Sequence, residues 1–194
     1  MGRLRSRFLA LAALATAVTL GATTISGCGS GSAAQITVPV NGCAPASLER
    51  LDPRSTIHLF PGAPEPTYLT NPPTSGPHRL GPPYTGVVTA PIPRPSQVAM
   101  LESGYVIVQS QGLPPVQEAT LDTLAGTLVT VAPPVVPLPS PIVATAWTWK
   151  LFCGSVTPSS LSALRAFISA HKGVGFFGHI PVTIPATAVP GVTS

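Results

Sequence analysis

Proline is the residue that most restricts how this chain folds. All 25 prolines lie after residue 27, and eleven of them fall between Pro61 and Pro95. Because proline fixes φ and has no amide hydrogen, it is excluded from helix interiors and from central strands. The segment 61–95 is therefore predicted to run as extended and turning chain over a domain whose regular elements come mainly after Gln97.

The first 28 residues have the pattern of a bacterial lipoprotein signal. Three arginines precede an apolar run over residues 8–21, which is too short to cross a bilayer but has the length of a signal-peptide core. Ile25-Ser-Gly-Cys28 resembles the lipobox, so Cys28 is predicted to become the acylated first residue. We expect a protein attached to the cell membrane by this lipid, on the extracytoplasmic face. An ordinary secretory signal that contains a cysteine is the alternative.

The charge of the exported part is close to neutral. The signal holds three of the ten basic residues and no acidic one, which leaves seven basic against six acidic residues. This balance gives no support for binding to nucleic acid. The predicted organisation is a signal peptide (1–27), a lipidated cysteine and flexible tether (28–44), a single domain (45–184) and a disordered tail (185–194).

If Cys28 carries lipid, Cys43 and Cys153 are the two cysteines left in an exported chain. The oxidising side of the membrane favours a disulfide between them. They lack the Cys-x-x-Cys spacing of redox motifs and zinc knuckles, although a redox-active or metal-binding pair is the alternative. We expect a structural disulfide that joins the start of the domain to its late part.

Hydrophobic patterning predicts an α+β domain, in which a small sheet of a few strands carries two main helices and long proline-rich loops. Thr157-Pro158 has the form of a helix start, and Gly173 stands just beyond the expected end at His171. The other expected elements are a short helical turn at 45–51, a helix from Pro114 towards Gly126, and strands at 105–109, 127–131 and 142–148.

Two catalytic motifs are incomplete. Gly173-Val-Gly175-Phe-Phe-Gly178 has the letters of a dinucleotide-binding loop, but it follows a predicted helix instead of opening one, so a glycine-rich turn is favoured. Ser103 lies in Leu101-Glu-Ser-Gly, which lacks the first glycine of a nucleophile elbow. The histidines show no helical metal-binding spacing. No catalytic residue and no cofactor are predicted from these patterns.

One segment carries a specific resemblance. The run is Asn71-Pro72-Pro73-Thr74-Ser75-Gly76-Pro77-His78, and it is followed by Met100-Leu-Glu102-Ser-Gly104 and by Ala144-Thr-Ala-Trp147. Together they resemble DUF3105, a family of exported or membrane-attached bacterial proteins of uncharacterised function. The resemblance covers roughly residues 55–175 and implies no known activity.

The resemblance also shows a departure, because this chain has Ala99 and Ser103 where the family pattern carries histidines. Of the ionisable motif positions, His78 and Glu102 remain. If the family site binds a transition metal, this chain keeps one histidine and one carboxylate, and two such ligands seldom hold zinc or copper tightly. The alternative is a rigid proline loop whose Ser and Asn side chains bond the backbone and enclose His78.

Two hypotheses of function follow. The first is a lipid-anchored, non-enzymatic binding or scaffold protein whose partner is another envelope protein or a cell-wall component. The second is a metal-binding or metal-dependent protein centred on His78 and Glu102, with His58 or His179 brought in from elsewhere in the chain. A serine hydrolase that uses Ser103 is a distant third.

Overall fold

A computed structural model of the protein describes residues 37–179. The signal peptide, Cys28 and the predicted tail at 185–194 lie outside this range. Within it, the helices are α1 (Arg94–Glu102), α2 (Pro115–Asp122) and α3 (Pro158–His171). The strands are β1 (Ser47–Leu48), β2 (Gly86–Val87), β3 (Val106–Ser110), β4 (Val129–Ala132), β5 (Ile142–Ala146), β6 (Trp149–Cys153), β7 (Val174–Gly175) and β8 (Gly178–His179).

Six strands form one open mixed sheet in the order β1-β6-β5-β3-β4-β2. Strand β4 pairs in parallel with β3 and β2, whereas the other neighbours are antiparallel. The last two strands form a separate hairpin. The architecture confirms the mixed α+β class that the sequence predicts.

The helices cover both faces of this sheet. On β3, the side chains of Val106 and Val108 pack in one apolar cluster with residues of α2 and α3, whereas Ile107 packs in a second cluster with residues of α1. Alternate residues of a strand point to opposite faces, so α1 lies on one face and the other two helices on the opposite face. A strand that is covered on both faces has a continuous run of apolar residues, and β3 begins with such a run.

Helix α3 begins where its sequence indicates. The Thr157 hydroxyl accepts from the Ser160 backbone N–H at 3.1 Å, and the Ser160 hydroxyl accepts from the Thr157 N–H at 2.7 Å. This reciprocal capping box satisfies amides that have no partner inside the helix, and Pro158 occupies the first turn, where no amide hydrogen is needed.

Cys43 and Cys153 form the expected disulfide, across a sequence separation of 110 residues. The bond joins the N-terminal end of the described chain to the end of β6. None of the helices within residues 37–179 combines the length and apolar character needed to cross a membrane.

The structure corrects three expectations about the elements. There are three helices in the described chain instead of two main ones, because α1 begins directly after Pro93 inside the proline-rich region, with Pro95 in its first turn. The segment 45–51 contains the short strand β1 and no helical turn. The predicted strand at 142–148 is shorter, because the chain turns at Thr148, where φ is +59°, and returns as β6.

Candidate functional site

Three side chains with metal-binding chemistry converge on the α1 side of the sheet. They are His58, His78 and Glu102, and one ligand atom of each lies within 4.8 Å of the others. Each comes from a different segment of the chain. The His78 ring is fully buried, the Glu102 side chain is 17% exposed and His58 is exposed to solvent.

The loop 71–78, which ends in His78, is fixed by hydrogen bonds to a turn at residues 52–55. The Asp52 backbone N–H donates to Ser75 Oγ at 2.9 Å, and the Gly76 N–H donates to Ser55 Oγ at 3.0 Å. Ser55 Oγ in turn donates to the Asp52 carbonyl at 2.6 Å. These bonds satisfy buried polar groups of a loop that belongs to no strand of the sheet.

The Asp52 carboxylate stabilises the same turn through Arg54. Its Oδ1 accepts from the Arg54 backbone N–H and Nε, and its Oδ2 accepts from the guanidinium at 2.7 Å. These side-chain hydrogen bonds hold the pKa of Asp52 below its ordinary value, against the opposing effect of burial. The carboxylate is therefore ionised at neutral pH and anchors the turn that carries Ser55.

Gly76 occupies a position that only glycine fits without strain. Its φ is +125°, and an added Cβ would lie 3.1 Å from the Tyr68 ring and 3.2 Å from an Asp52 carboxylate oxygen. Tyr68 closes the loop from the other side, because its hydroxyl donates to the Pro77 carbonyl at 2.9 Å. Burial raises the pKa of this phenol, so it remains a proton donor.

Glu102 is the last residue of α1, and the β7–β8 hairpin holds its backbone. The Glu102 carbonyl accepts from the Phe176 N–H at 3.1 Å. Gly175 packs so closely that an added Cβ would lie 1.9 Å from the Glu102 carbonyl oxygen. The Gly-x-Gly-x-x-Gly run therefore lies in a glycine-rich turn, as the sequence favours, and no helix begins in it within residues 37–179. This turn supports the backbone of Glu102.

His58 reaches the site through a short parallel pairing with His78. The His78 N–H donates to the Ile57 carbonyl at 3.0 Å, and the Leu59 N–H donates to the His78 carbonyl at 2.7 Å. Residues paired in this way project their side chains to the same side. The two imidazole centroids are accordingly 4.8 Å apart.

The hydrogen bonding of His78 leaves one nitrogen directed at Glu102. Its Nδ1 lies 3.1 Å from the Gly76 carbonyl oxygen, which can only accept, so the hydrogen is assigned to Nδ1. In the neutral ring, Nε2 then presents a lone pair to Glu102 Oε2 at a distance of 2.8 Å. A hydrogen bond between these two atoms needs a proton on one of them, and a metal ion that binds both is the alternative.

The arrangement has the donor set of a three-ligand metal site. Two imidazoles and one carboxylate are found in catalytic zinc sites and in non-haem iron sites, where positions stay open for water or substrate. Ligand atoms on one tetrahedral zinc ion lie roughly 3.3–3.6 Å apart. Binding of zinc therefore requires His78 and Glu102 to separate slightly and the exposed His58 to move inward.

Of the other sequence candidates, His171 lies apart from this cluster. His171 packs between Trp149 and Phe167 on the α3 side of the sheet, and burial lowers its pKa. His179 pairs with Val174 in the terminal hairpin. Ser103 follows a helix and precedes a strand, the reverse of the strand-to-helix turn that a nucleophile elbow needs.

Sequence reasoning missed the residues that support the loop. Asp52, Ser55 and Tyr68 precede the motif, and no local pattern connects them to it. The Asp-Pro-Arg-Ser run at 52–55 has the composition of a turn, which is the one signal that the sequence offers.

Fold and site together define a mixed α+β domain that brings two histidines and a glutamate together on one face of its sheet. The chain belongs to the family described as Protein of unknown function (DUF3105), which it matches over residues 64–175. The match confirms the resemblance drawn from the 71–78 motif. It includes His78 and Glu102, whereas His58 lies before its first residue. The chain matches no curated protein and no solved structure.

Proposed function

We propose that this protein is a metal-binding domain of the bacterial cell envelope, held at the membrane by lipid on Cys28. The observation that carries the proposal is the convergence of His58, His78 and Glu102. Imidazole and carboxylate ligands suit zinc and related divalent transition metals. The proposal develops the second sequence hypothesis, in which His58 or His179 joins His78 and Glu102, and the proximity of His58 supports it.

The environment of His78 supports a metal more than a simple ion pair. A protonated His78 paired with Glu102 would account for two of the three residues but would give His58 no role. A metal accounts for all three. The Gly76 carbonyl also supplies the usual outer partner of a metal-bound histidine, a backbone oxygen that accepts from the other ring nitrogen and fixes the orientation of the ring.

The exposure of His58 suits a site that exchanges its metal or binds a further ligand. Structural zinc sites have four protein ligands and are closed, whereas sites with three keep a position for water or substrate. One wall of this site is open to solvent at His58. A bound ion would therefore be accessible from outside the domain.

The first test is elemental analysis of full-length protein purified in detergent without chelator, followed by zinc titration against a competing chromophoric chelator. We expect one zinc ion per chain. Loss of an outer partner of a metal ligand typically weakens metal binding roughly 10–100-fold, and loss of a direct ligand weakens it more. We therefore expect Glu102→Gln to weaken zinc binding at least about 10–100-fold. His58→Ala, which removes an exposed ligand, is expected to cost at least about tenfold.

Matched controls are His171→Gln and Glu118→Gln, which remove a histidine and a carboxylate outside the cluster. Both are expected to leave zinc affinity unchanged. Equal affinity of the wild-type protein and the His58→Ala/Glu102→Gln double variant would contradict the proposal. His58→Ala is the primary variant because the exposed side chain contributes little to folding.

The partner-binding role is a second proposal, and it draws on exposed aromatic side chains. Phe60 and Phe177 are 82% and 83% exposed, so two large aromatic side chains are available for contact with a partner. Crosslinking in native membranes tests this role. A specific crosslinked protein that is lost in Phe60→Ser or Phe177→Ser would support it, and identical crosslinks in all three proteins would count against it.

A further inference from the structure

A cavity lies beside the metal-site residues, between α1 and the segment that follows His78. It has a volume of about 100 Å³ and is lined by Arg79, Ser96, Ala99, Ser103 and Tyr105, with apolar walls that include Leu80, Pro82 and Met100. Two of these residues directly follow site residues in the chain, since Arg79 comes after His78 and Ser103 after Glu102. The cavity therefore shares its supporting segments with the metal site.

Arg79 is the one charged residue that lines this cavity. Arg54 and Arg94 form ion pairs with Asp52 and Glu65, but Arg79 has no carboxylate partner within residues 37–179. One terminal nitrogen of its guanidinium donates to the Ala63 carbonyl at 3.1 Å. Its Nε is shielded from solvent and has no acceptor in the same part of the chain. A half-buried guanidinium with donors to spare favours an anion.

The walls indicate which anion fits. Guanidinium binds a carboxylate through two parallel hydrogen bonds, and hydroxyls such as those of Ser96 and Ser103 can donate to the same oxygens. The apolar walls would leave oxygens of a phosphate without donors, but they suit the hydrocarbon body of an organic acid. A protein cavity of about 150 Å³ can hold benzene, so a cavity of about 100 Å³ has room for only a few non-hydrogen atoms.

From this geometry we infer that the cavity is a binding site for a short-chain organic carboxylate, with Arg79 as the residue that recognises its charge. The site is distinct from the proposed metal site and does not require a bound metal. Its ligand class is a monocarboxylate of about propionate size.

Saturation-transfer NMR with sodium propionate on metal-free, full-length protein tests this inference. Propionamide is the matched neutral probe, and the ionic strength is held constant. We expect a saturable propionate signal, with propionamide binding at least about tenfold more weakly because it lacks the charge that the guanidinium recognises. Arg79→Gln is expected to weaken propionate binding by a similar factor, and Arg165→Gln, at an exposed position on α3, to leave it unchanged.

A second variant covers the case in which Arg79→Gln does not fold. Ala99→Leu fills the cavity and leaves the guanidinium in place, so it is expected to abolish the propionate signal. Equal binding of propionate and propionamide, or an unchanged signal in Ala99→Leu, would overturn the inference. Inorganic phosphate that displaces propionate at more than tenfold lower concentration would overturn the carboxylate assignment. Weaker displacement by phosphate would support it.

Discussion

The two faces of the sheet differ in what they bury. The face under α2 and α3 is apolar throughout its buried part: Val106, Val108, Val129, Val131, Ile142, Ala144, Ala146, Leu151 and Cys153. The face under α1 buries four polar side chains among its apolar ones: Gln109, Thr130, Thr145 and Lys150, none more than 1% exposed. The candidate sites lie on the α1 side, where polar groups are already part of the packing.

The difference shows how the fold separates stability from binding. Apolar burial stabilises a domain without specifying any ligand, whereas buried polar groups require partners and hold side chains in fixed positions. Lys150 illustrates the cost, because burial lowers its pKa even though Glu49 lies 3.5 Å from its Nζ. Substitutions on the apolar face should therefore affect folding, and those near the sites should affect binding.

Removal of packing from the apolar face should have the largest effect on folding. Phe167 on α3 is 4% exposed and lies in the large apolar cluster. We expect Phe167→Ala to lower the free energy of unfolding by about 3–5 kcal/mol, because it leaves a cavity that the surroundings fill only partly. Urea unfolding measures this loss. If the folded variant also loses zinc affinity, the two faces are coupled and the comparison fails.

Removal of the disulfide should have the next largest effect. We expect the Cys43→Ser/Cys153→Ser variant to lose about 2–4 kcal/mol, because the unfolded chain is no longer constrained by a loop of 110 residues. Guanidinium unfolding with and without reductant gives the comparison. A wild-type protein that is equally stable in both conditions would show that the bond contributes nothing to folding.

Loss of the Asp52 carboxylate should have a moderate effect that depends on pH. We expect Asp52→Asn to lower the free energy of unfolding by about 1.5–3 kcal/mol at pH 7, since hydrogen bonds to a charged group are lost. Because the pKa of Asp52 is lowered in the folded protein, its contribution is complete above its ordinary value of 3.8 and is lost as the pH falls through the folded-state pKa.

Unfolding curves from pH 7 down to pH 2 check this dependence. The difference between the wild-type protein and Asp52→Asn should stay constant down to about pH 5 and shrink below it. Asp122→Asn, at a position on α2, is the matched control. A difference that does not change with pH would mean that the carboxylate charge is not what holds the turn.

The smallest effect on folding is expected at His58. Because its side chain is exposed, His58→Ala should change the stability of the metal-free protein by no more than about 0.5 kcal/mol. Zinc at 100 times its dissociation constant should stabilise the wild-type protein by about 2.7 kcal/mol, and this gain should be much smaller in the variant. Thermal unfolding with zinc and with chelator separates the two effects. Equal zinc stabilisation of both proteins would exclude His58 as a ligand.

The sequence predicts the elements that have local signals. Thr157 and Pro158 mark the start of α3, and the apolar run at 106–108 identifies a buried strand. The sequence does not predict helix α1, because proline is excluded from helix interiors, but proline is tolerated in the first turn, where Pro95 lies. The sequence does not predict strand β6 as a separate element, because Trp147-Thr148 contains no Gly or Asn, the residues that usually indicate a tight turn.

The site is predicted only in part. His78 and Glu102 follow from the family motif, but the approach of His58 to His78 depends on a parallel pairing between segments 20 residues apart in the chain. The same holds for Asp52, whose contact with Ser75 spans 23 residues. Local patterns carry no information on such pairings, because only the folded topology brings the segments together.

Anomalous diffraction at the zinc edge, from crystals of the protein grown with zinc, tests zinc binding by this cluster directly. We expect one peak among three side chains, about 2.0–2.2 Å from a ring nitrogen of His58, from Nε2 of His78 and from a carboxylate oxygen of Glu102. A zinc-saturated crystal with no peak there, in which His78 Nε2 remains 2.8 Å from Glu102 Oε2, would contradict it.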